Sequence, residues 1–114
     1  MSVDEDLLLV LKSSTLGSEP DLGEKLLSAF LTQLLEVGHL PQRIICMSSA
    51  VFLTTKGSPV LELMQRLAAA GSRVQSCGTC LDYYERKDDL VVGEVGNMRE
   101  TVEAMLAYRR VIRL

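Results

Sequence analysis

Leu7-Leu8-Leu9-Val10-Leu11 is the stretch on which the fold turns. Five apolar residues in unbroken succession are too few for a helix and lack the alternation of a strand with one wet face. Such a run is a strand buried on both sides, the kind found in a parallel sheet covered by helices. Ile44-Ile45-Cys46-Met47 repeats the pattern, and Arg73-Val74-Gln75-Ser76 and Val111-Ile112-Arg113-Leu114 are further β-type segments. Between the first two, Leu22, Leu26, Leu27, Phe30, Leu31, Leu34 and Leu35 recur at helical spacing and predict one wide apolar face. Ser18 or Glu19 followed by Pro20 marks the start of that helix, and Gly38 is placed to close it in a left-handed cap.

The same reasoning extends along the chain. Pro41 ends the connection after the first helix, so His39 falls in a helix-to-strand loop. Residues 1–6 read as an acidic, frayed lead-in. Residues 50–56 fit either a helical turn or a loop that packs Val51 and Leu53 inward. Ser58 as N-cap and Pro59 at the first helical position predict a second helix, with Leu61, Met64, Leu67 and Ala68 inward and a stop at Gly71. Leu90-Val91-Val92 is a candidate short strand, limited by Gly93 and Gly96. Asn97 and Glu100 form a capping-box pattern that opens a last helix, with Met98, Val102, Met105 and Leu106 on one side. Strand and helix alternate throughout, which implies an α/β fold with a parallel sheet and helices on both faces.

The chain has 114 residues, the length of a single domain able to bury roughly two-thirds of its unfolded surface without disulfide staples. Its net charge of -3 argues against a broad nucleic-acid-binding face. The only basic cluster, Arg109, Arg110 and Arg113, flanks the last strand. Three cysteines, an odd number, and the absence of a signal-like segment point to a reducing cytoplasm. No apolar run approaches the length that spans a bilayer.

The chemistry concentrates in Cys77-Gly78-Thr79-Cys80-Leu81-Asp82-Tyr83-Tyr84. Thr79 and Asp82 stand at capping-box spacing, which predicts a helical turn with Cys77 just before it and Cys80 inside its first turn. Free N–H groups there favour thiolate over thiol, and thiolate is the form that attacks sulfur. Two sulfurs so spaced can also exchange with each other. In a parallel sheet every strand-to-helix loop leaves at one edge, so residues 13–17, Ser48-Ser49 and residues 77–80 are expected to converge, with His39 at the opposite edge.

Several chemistries fit a CxxC. Simple packing at a strand end is one, although Gly78 between the sulfurs favours a strained, partly exposed loop. A metal site lacks further ligands, because Cys46 lies inside a strand and His39 at the far edge. A thioredoxin-like dithiol follows the first strands and carries Trp and Pro nearby; this chain has no Trp and no Pro near Cys77. Thr15 and Gly17 resemble a phosphate loop only superficially, since neither GxxxxGKS nor GxGxxG is present. The serines have no His or acid partner in reach. Sulfur transfer or carriage remains as the leading reading, with Cys46 a core residue.

CGTCLDYY at residues 77–84, the string Val92-Gly93-Glu94-Val95-Gly96-Asn97-Met98, Thr15-Leu16-Gly17 and Gly57-Ser58-Pro59-Val60-Leu61 together resemble the YedF-type selenium-metabolism proteins. The C-terminal domain of that family belongs to the DsrE/DsrF-like group of sulfur-relay proteins, and the resemblance runs from about Leu7 to Leu114. It implies a three-layer α/β/α sandwich around a mainly parallel sheet of four or five strands, as one domain over residues 1–114. It also implies homo-oligomers, trimers or multiples of them. Relatives carry a persulfide on a Cys at the end of the third strand, the position of Cys77, and Cys80 is the second Cys of the subgroup motif. YedF-type proteins usually add an N-terminal TusA-like domain with a Cys-Pro motif. No Cys here precedes a Pro, so this chain reads as a stand-alone version or a cut-out.

The resulting expectation is a cytoplasmic sulfur- or selenium-handling protein without cofactor or metal, whose thiols exchange with separate donor and acceptor proteins, a TusA-like carrier among them. Cys77 bears the persulfide and Cys80 resolves it. Thr15, Gly17, Ser48, Gly78, Thr79, Asp82 and Tyr83 line the pocket or stabilise the anion. Whether this is turnover catalysis or carriage is left open. The alternative is a non-enzymatic oligomeric module of the same fold that holds a small anion or nucleotide in the loop crevice. A surface with Val51, Phe52 and Leu53 exposed is the expected subunit contact.

Overall fold

The computed structural model describes residues 1–114. The apolar runs form the centre of a five-stranded, wholly parallel sheet: β1 (Ser2–Leu11), β2 (His39–Cys46), β3 (Arg73–Cys77), β4 (Glu94–Gly96) and β5 (Arg110–Arg113), in spatial order β4-β3-β2-β1-β5. The chain steps outward from β1 to β4 and then returns across the sheet to β5. Right-handed crossovers place helices from steps in opposite directions on opposite faces. Accordingly α1 (Pro20–Val37) and α2 (Leu61–Ala69) bury Leu27, Leu31, Leu35, Met64 and Leu67 against Leu9, Leu11, Ile44, Cys46 and Val74. On the other face α4 (Met98–Ala107) lies over Leu8, Val10 and Ile45. The α/β/α arrangement expected from the sequence is the one observed.

Local signals set most of the boundaries. Glu19 is the N-cap of α1 and Pro20 its first residue; Gly38 closes it at φ 77 with its N–H on the Leu34 carbonyl. The Asn97 side chain accepts from the Glu100 N–H at 2.9 Å and donates to the Glu100 carboxylate at 2.8 Å, a reciprocal cap on α4.

Several expectations are corrected. Residues 2–4 are not a frayed lead-in but pair with His39, Leu40 and Pro41 at the start of β2. The register then slips between Asp4 and Leu8, where β1 takes four steps while β2 takes two. This irregularity lies beside Pro41, which has no N–H to give the ladder, and such residues enter sheets at bulges. The Pro41 carbonyl instead accepts from the Ser72 hydroxyl at 2.7 Å. The strand after Gly93 is Glu94–Gly96; Leu90 makes only an isolated antiparallel bridge to Thr55. α2 begins at Leu61 rather than Pro59, and the Ser58 hydroxyl accepts from the Val60 N–H in the preceding turn. The α1 face is narrower than its leucines imply, with Leu22 and Leu26 exposed. Residues Ser48–Leu53 form a 3₁₀-helix that buries Val51 and Leu53, so these two do not contribute to an exposed patch. α4 buries Thr101 and Ala104; Met98, Val102 and Leu106 share the exposed side, whereas Met105, expected beside them, packs against the inner cluster.

Candidate functional site

β3 ends at Cys77, and α3 (Gly78–Tyr83) begins directly after it. The three strand-to-helix loops meet at this edge as predicted. The Ser14 N–H donates to the Ser49 hydroxyl at 3.1 Å, and the Ser48 N–H donates to Cys80 Sγ at 3.1 Å. His39 lies at the opposite edge, 2.8 Å from Asp4 and near Arg110.

All three cysteines are free thiols. Cys46 is sealed in the core and burial pushes its thiol up to about 12, which keeps it inert. Cys77 retains 7% of its surface, and Cys80 is partly exposed. The Cys80 thiol is raised, first by burial, then by its hydrogen bond with Cys77; the Ser48 N–H opposes this, and charge on Cys77 adds to the rise. The two sulfurs thus act on each other, and both burial and Cys77 disfavour the Cys80 thiolate.

The capping box predicted from Thr79 and Asp82 does not form. Cys77 is the N-cap residue and α3 has no side-chain cap. Thr79 is exposed, and Asp82 is exposed and paired with Lys87 at 3.2 Å. A strand running straight into a helix leaves no extended residue between the sulfurs to serve as a cap, so Asp82 falls beyond the first turn. Gly78 is helical rather than strained. A Cβ there would come within 3.1 Å of Val95 and 3.3 Å of the Gly96 carbonyl, so glycine lets β4 approach the Cys pair. The Thr15 hydroxyl is 3.2 Å from that of Ser13 and bonds the Gly17 carbonyl at 3.3 Å, and Gly17 makes the turn at φ 82; both shape the loop and make no hydrogen bond to sulfur. Tyr83 is exposed and meets Tyr84 edge-on at 5.0 Å. Tyr84 packs on Phe52 at 4.6 Å, and Arg86 lies 5.2 Å over that ring, which fixes the 3₁₀-helix against α3.

Of the expected pocket residues, only Ser48 makes a hydrogen bond to sulfur, through its main chain and in a left-handed conformation at φ 54. A Ser-Ser pair after a buried strand marks the loop, but nothing in residue type foretells that conformation. The buried contact between Thr54 and Ser76, directly before Cys77, also had no counterpart in the sequence reading. A surface cavity of about 660 Å³ lies between α1 and the Pro59-Val60 turn and has no cysteine in its lining.

No family model matches the sequence, and no curated protein does so either. Solved structures do share the architecture. The YchN protein of E. coli superimposes with a TM-score of 0.71 at 23% identity, over 97% of this chain and 100% of that one. MTH1491 of Methanobacterium thermoautotrophicum, a protein of unknown function, gives 0.72 at 16% identity, over 97% and 100%. BT1422 of Bacteroides thetaiotaomicron, a conserved protein of unknown function, gives 0.66 at 15%, over 96% and 95%. The class these define is a parallel α/β protein of the DsrE-like fold. The likeness is one of fold. No helix of the chain is long and apolar enough to cross a membrane.

Proposed function

We propose that this chain is a sulfur-relay protein that carries a persulfide on Cys77 and uses Cys80 to discharge it. The observation that carries the reading is the interacting pair of free thiols at the loop edge, one of them meeting a backbone donor. In loading, the Cys77 thiolate attacks the terminal sulfur of a donor persulfide. The new bond joins Cys77 Sγ to that sulfur, the donor S–S bond breaks, and the donor leaves as a thiolate with no net redox change. In transfer, an acceptor thiolate takes the same sulfur and Cys77 leaves as thiolate. In discharge, the Cys80 thiolate attacks Cys77 Sγ and the terminal sulfur departs as HS⁻. A Cys77–Cys80 disulfide remains, the sulfane sulfur is reduced by two electrons, and a dithiol reductant must reset the pair.

The raised Cys80 thiol suits this order of events: protonated at neutral pH, it spares the cargo long enough for transfer to compete. Selenium can follow the same steps. A small TusA-like carrier is the natural class of donor or acceptor, and a reducing cytoplasm keeps the thiols free. Self-association over α4, whose outer stripe is apolar, belongs to the same reading.

The test is mass spectrometry after incubation with a low-molecular-weight persulfide. One added sulfur on the wild type and on Cys80→Ser, and none on Cys77→Ser, is the expected result. Sulfur retained on Cys77→Ser and lost on Cys80→Ser would reverse the two roles. No uptake by any folded variant, with ligand binding indifferent to alkylation, would leave the non-enzymatic binding module instead.

A further inference from the structure

Ser48 and Glu85 are the two non-glycine residues with positive φ. At Ser48 the conformation is sterically unfavourable, and such residues persist where their surroundings over-determine them. Here the surroundings are explicit. The Met47 N–H continues the sheet ladder onto the Leu11 carbonyl at 3.0 Å, and the Ala50 N–H returns to the Met47 carbonyl at 3.1 Å. Ser49 holds the Ser14 N–H, and Ala50 and Val51 are buried. The product of this arrangement is one N–H aimed at Cys80 Sγ.

We infer that the Ser48 amide sets the balance between holding and discharging the cargo, because its left-handed conformation supplies the donor that stabilises Cys80 as the resolving thiolate. This rests on the relay reading and adds the residue that governs its last step. Among the influences on Cys80, burial and Cys77 oppose the anion, and the Ser48 N–H alone favours it. The elements packed against α3 add little. The 3₁₀-helix Ser48–Leu53 has no titratable side chain, β3 contributes Arg73 and Cys77, and β4 contributes Glu94, which is paired with Arg73 at 2.6 Å. On the neighbouring turn Lys87–Asp89, Lys87 pairs with Asp82 of α3, Asp89 faces Lys56 and Arg86, and Asp88 is exposed; on α3 itself Tyr83 is exposed. In discharge the Cys80 Sγ–Cys77 Sγ bond forms as the Cys77–sulfane bond breaks, and the amide acts on the attacking sulfur only.

The experiment compares Ser48→Gly, which accepts positive φ, with Ser48→Val, which as a β-branched residue does not. Two quantities are read: the pH profile of Cys80 alkylation in a Cys77→Ala background, and sulfide release from persulfide-loaded protein with Cys77 intact. The expected result for Ser48→Val is a Cys80 profile moved to higher pH, with thiolate fraction down about tenfold and sulfide release down about threefold, since the more basic thiolate is intrinsically the better nucleophile. Loading of Cys77 stays unchanged, and Ser48→Gly tracks the wild type. A purely structural role would change the melting temperature of Ser48→Val and leave the alkylation profile in place, which overturns the inference. If valine prevents folding, Ser48→Ala supplies the same comparison with a smaller shift, and an unmoved profile there overturns it equally. Loading without a profile shift removes the inference and keeps the relay. A profile shift without loading of any variant removes the relay and the discharge role with it, leaving only the amide's hold on Cys80.

Discussion

The hydroxyls of Thr54 and Ser76 meet at 2.7 Å, and neither residue has any solvent-accessible surface. The Thr54 hydroxyl donates to the Val51 carbonyl at 3.1 Å, so the proton between the two hydroxyls comes from Ser76. This bond joins the 3₁₀-helix that carries Ser48 to the last residue before Cys77. Thr54→Val leaves the Ser76 hydroxyl buried without a partner and is expected to destabilise the fold by about 1–3 kcal/mol. Adding Ser76→Ala removes the orphan, so the double variant should lose less than the sum of the single ones. Urea unfolding of the four proteins measures it, and strict additivity would show that the bond contributes nothing.

Much of this framework was legible beforehand because its signals are local. Leu7–Leu11 and Ile44–Cys46 are too apolar to lie anywhere but inside, and Pro20, Gly38 and Asn97 act within one helical turn of themselves. The convergence of the serine loops on the Cys pair followed from parallel topology alone. The features that sequence hides depend on partners distant along the chain. The pairing of residues 2–4 depends on β2, and β4 lies against β3 because Gly93 leaves room there, where a Cβ would collide with the Val74 carbonyl. α4 turns Thr101 and Ala104 inward because small residues permit close approach to the sheet, a choice that hydrophobic spacing does not reveal. At the site, the Cys pair was readable as a motif. The donor facing it was not, since it is a main-chain group whose direction is set by a dihedral angle.

Asp4 is where pH should act on stability. The Asp6 N–H, then a hydrogen bond from His39 and, to a lesser degree, Arg110 hold its carboxyl below the ordinary value of 3.8, against the opposing effect of burial. A depressed folded-state value means that the contribution is complete above the unfolded-state value and is lost as pH falls through the folded one. The stability difference between wild type and Asp4→Asn should therefore be constant from neutral pH down to about 5 and shrink below about 4. Chemical denaturation at a series of pH values reads it. A difference that grows on acidification would contradict the assignment.

Reactivity should rank the three thiols. Cys46, held at about 12 by burial, is expected to resist alkylation in the folded protein at any pH up to 9 or so. Cys80 should react with an apparent value above that of a free thiol, and Cys77→Ala should lower it, because both the hydrogen bond and the charge of Cys77 act to raise it. Burial of Cys80 persists in that variant, so the recovery is partial. Peptide mapping after timed alkylation separates the sites. A Cys80 that reacts more slowly once Cys77 is gone would mean that the two sulfurs do not oppose each other's ionisation.

Met98, Val102 and Leu106 follow one another along the outer side of α4 with 56%, 47% and 82% of their surface exposed. A stripe of this kind on a helix already docked by its opposite side calls for a further apolar partner, and a second copy of the chain is the partner proposed here. Burying Met98 and Leu106 would each favour association by about 1.5–3 kcal/mol. Met98→Glu with Leu106→Glu should therefore weaken it by roughly two to four decades, with the circular dichroism of the fold retained, because neither side chain touches the core beneath Ala104. Light scattering at micromolar concentration distinguishes the outcomes. A wild-type monomer, or an oligomer that ignores both charges, would place the contact elsewhere or remove it.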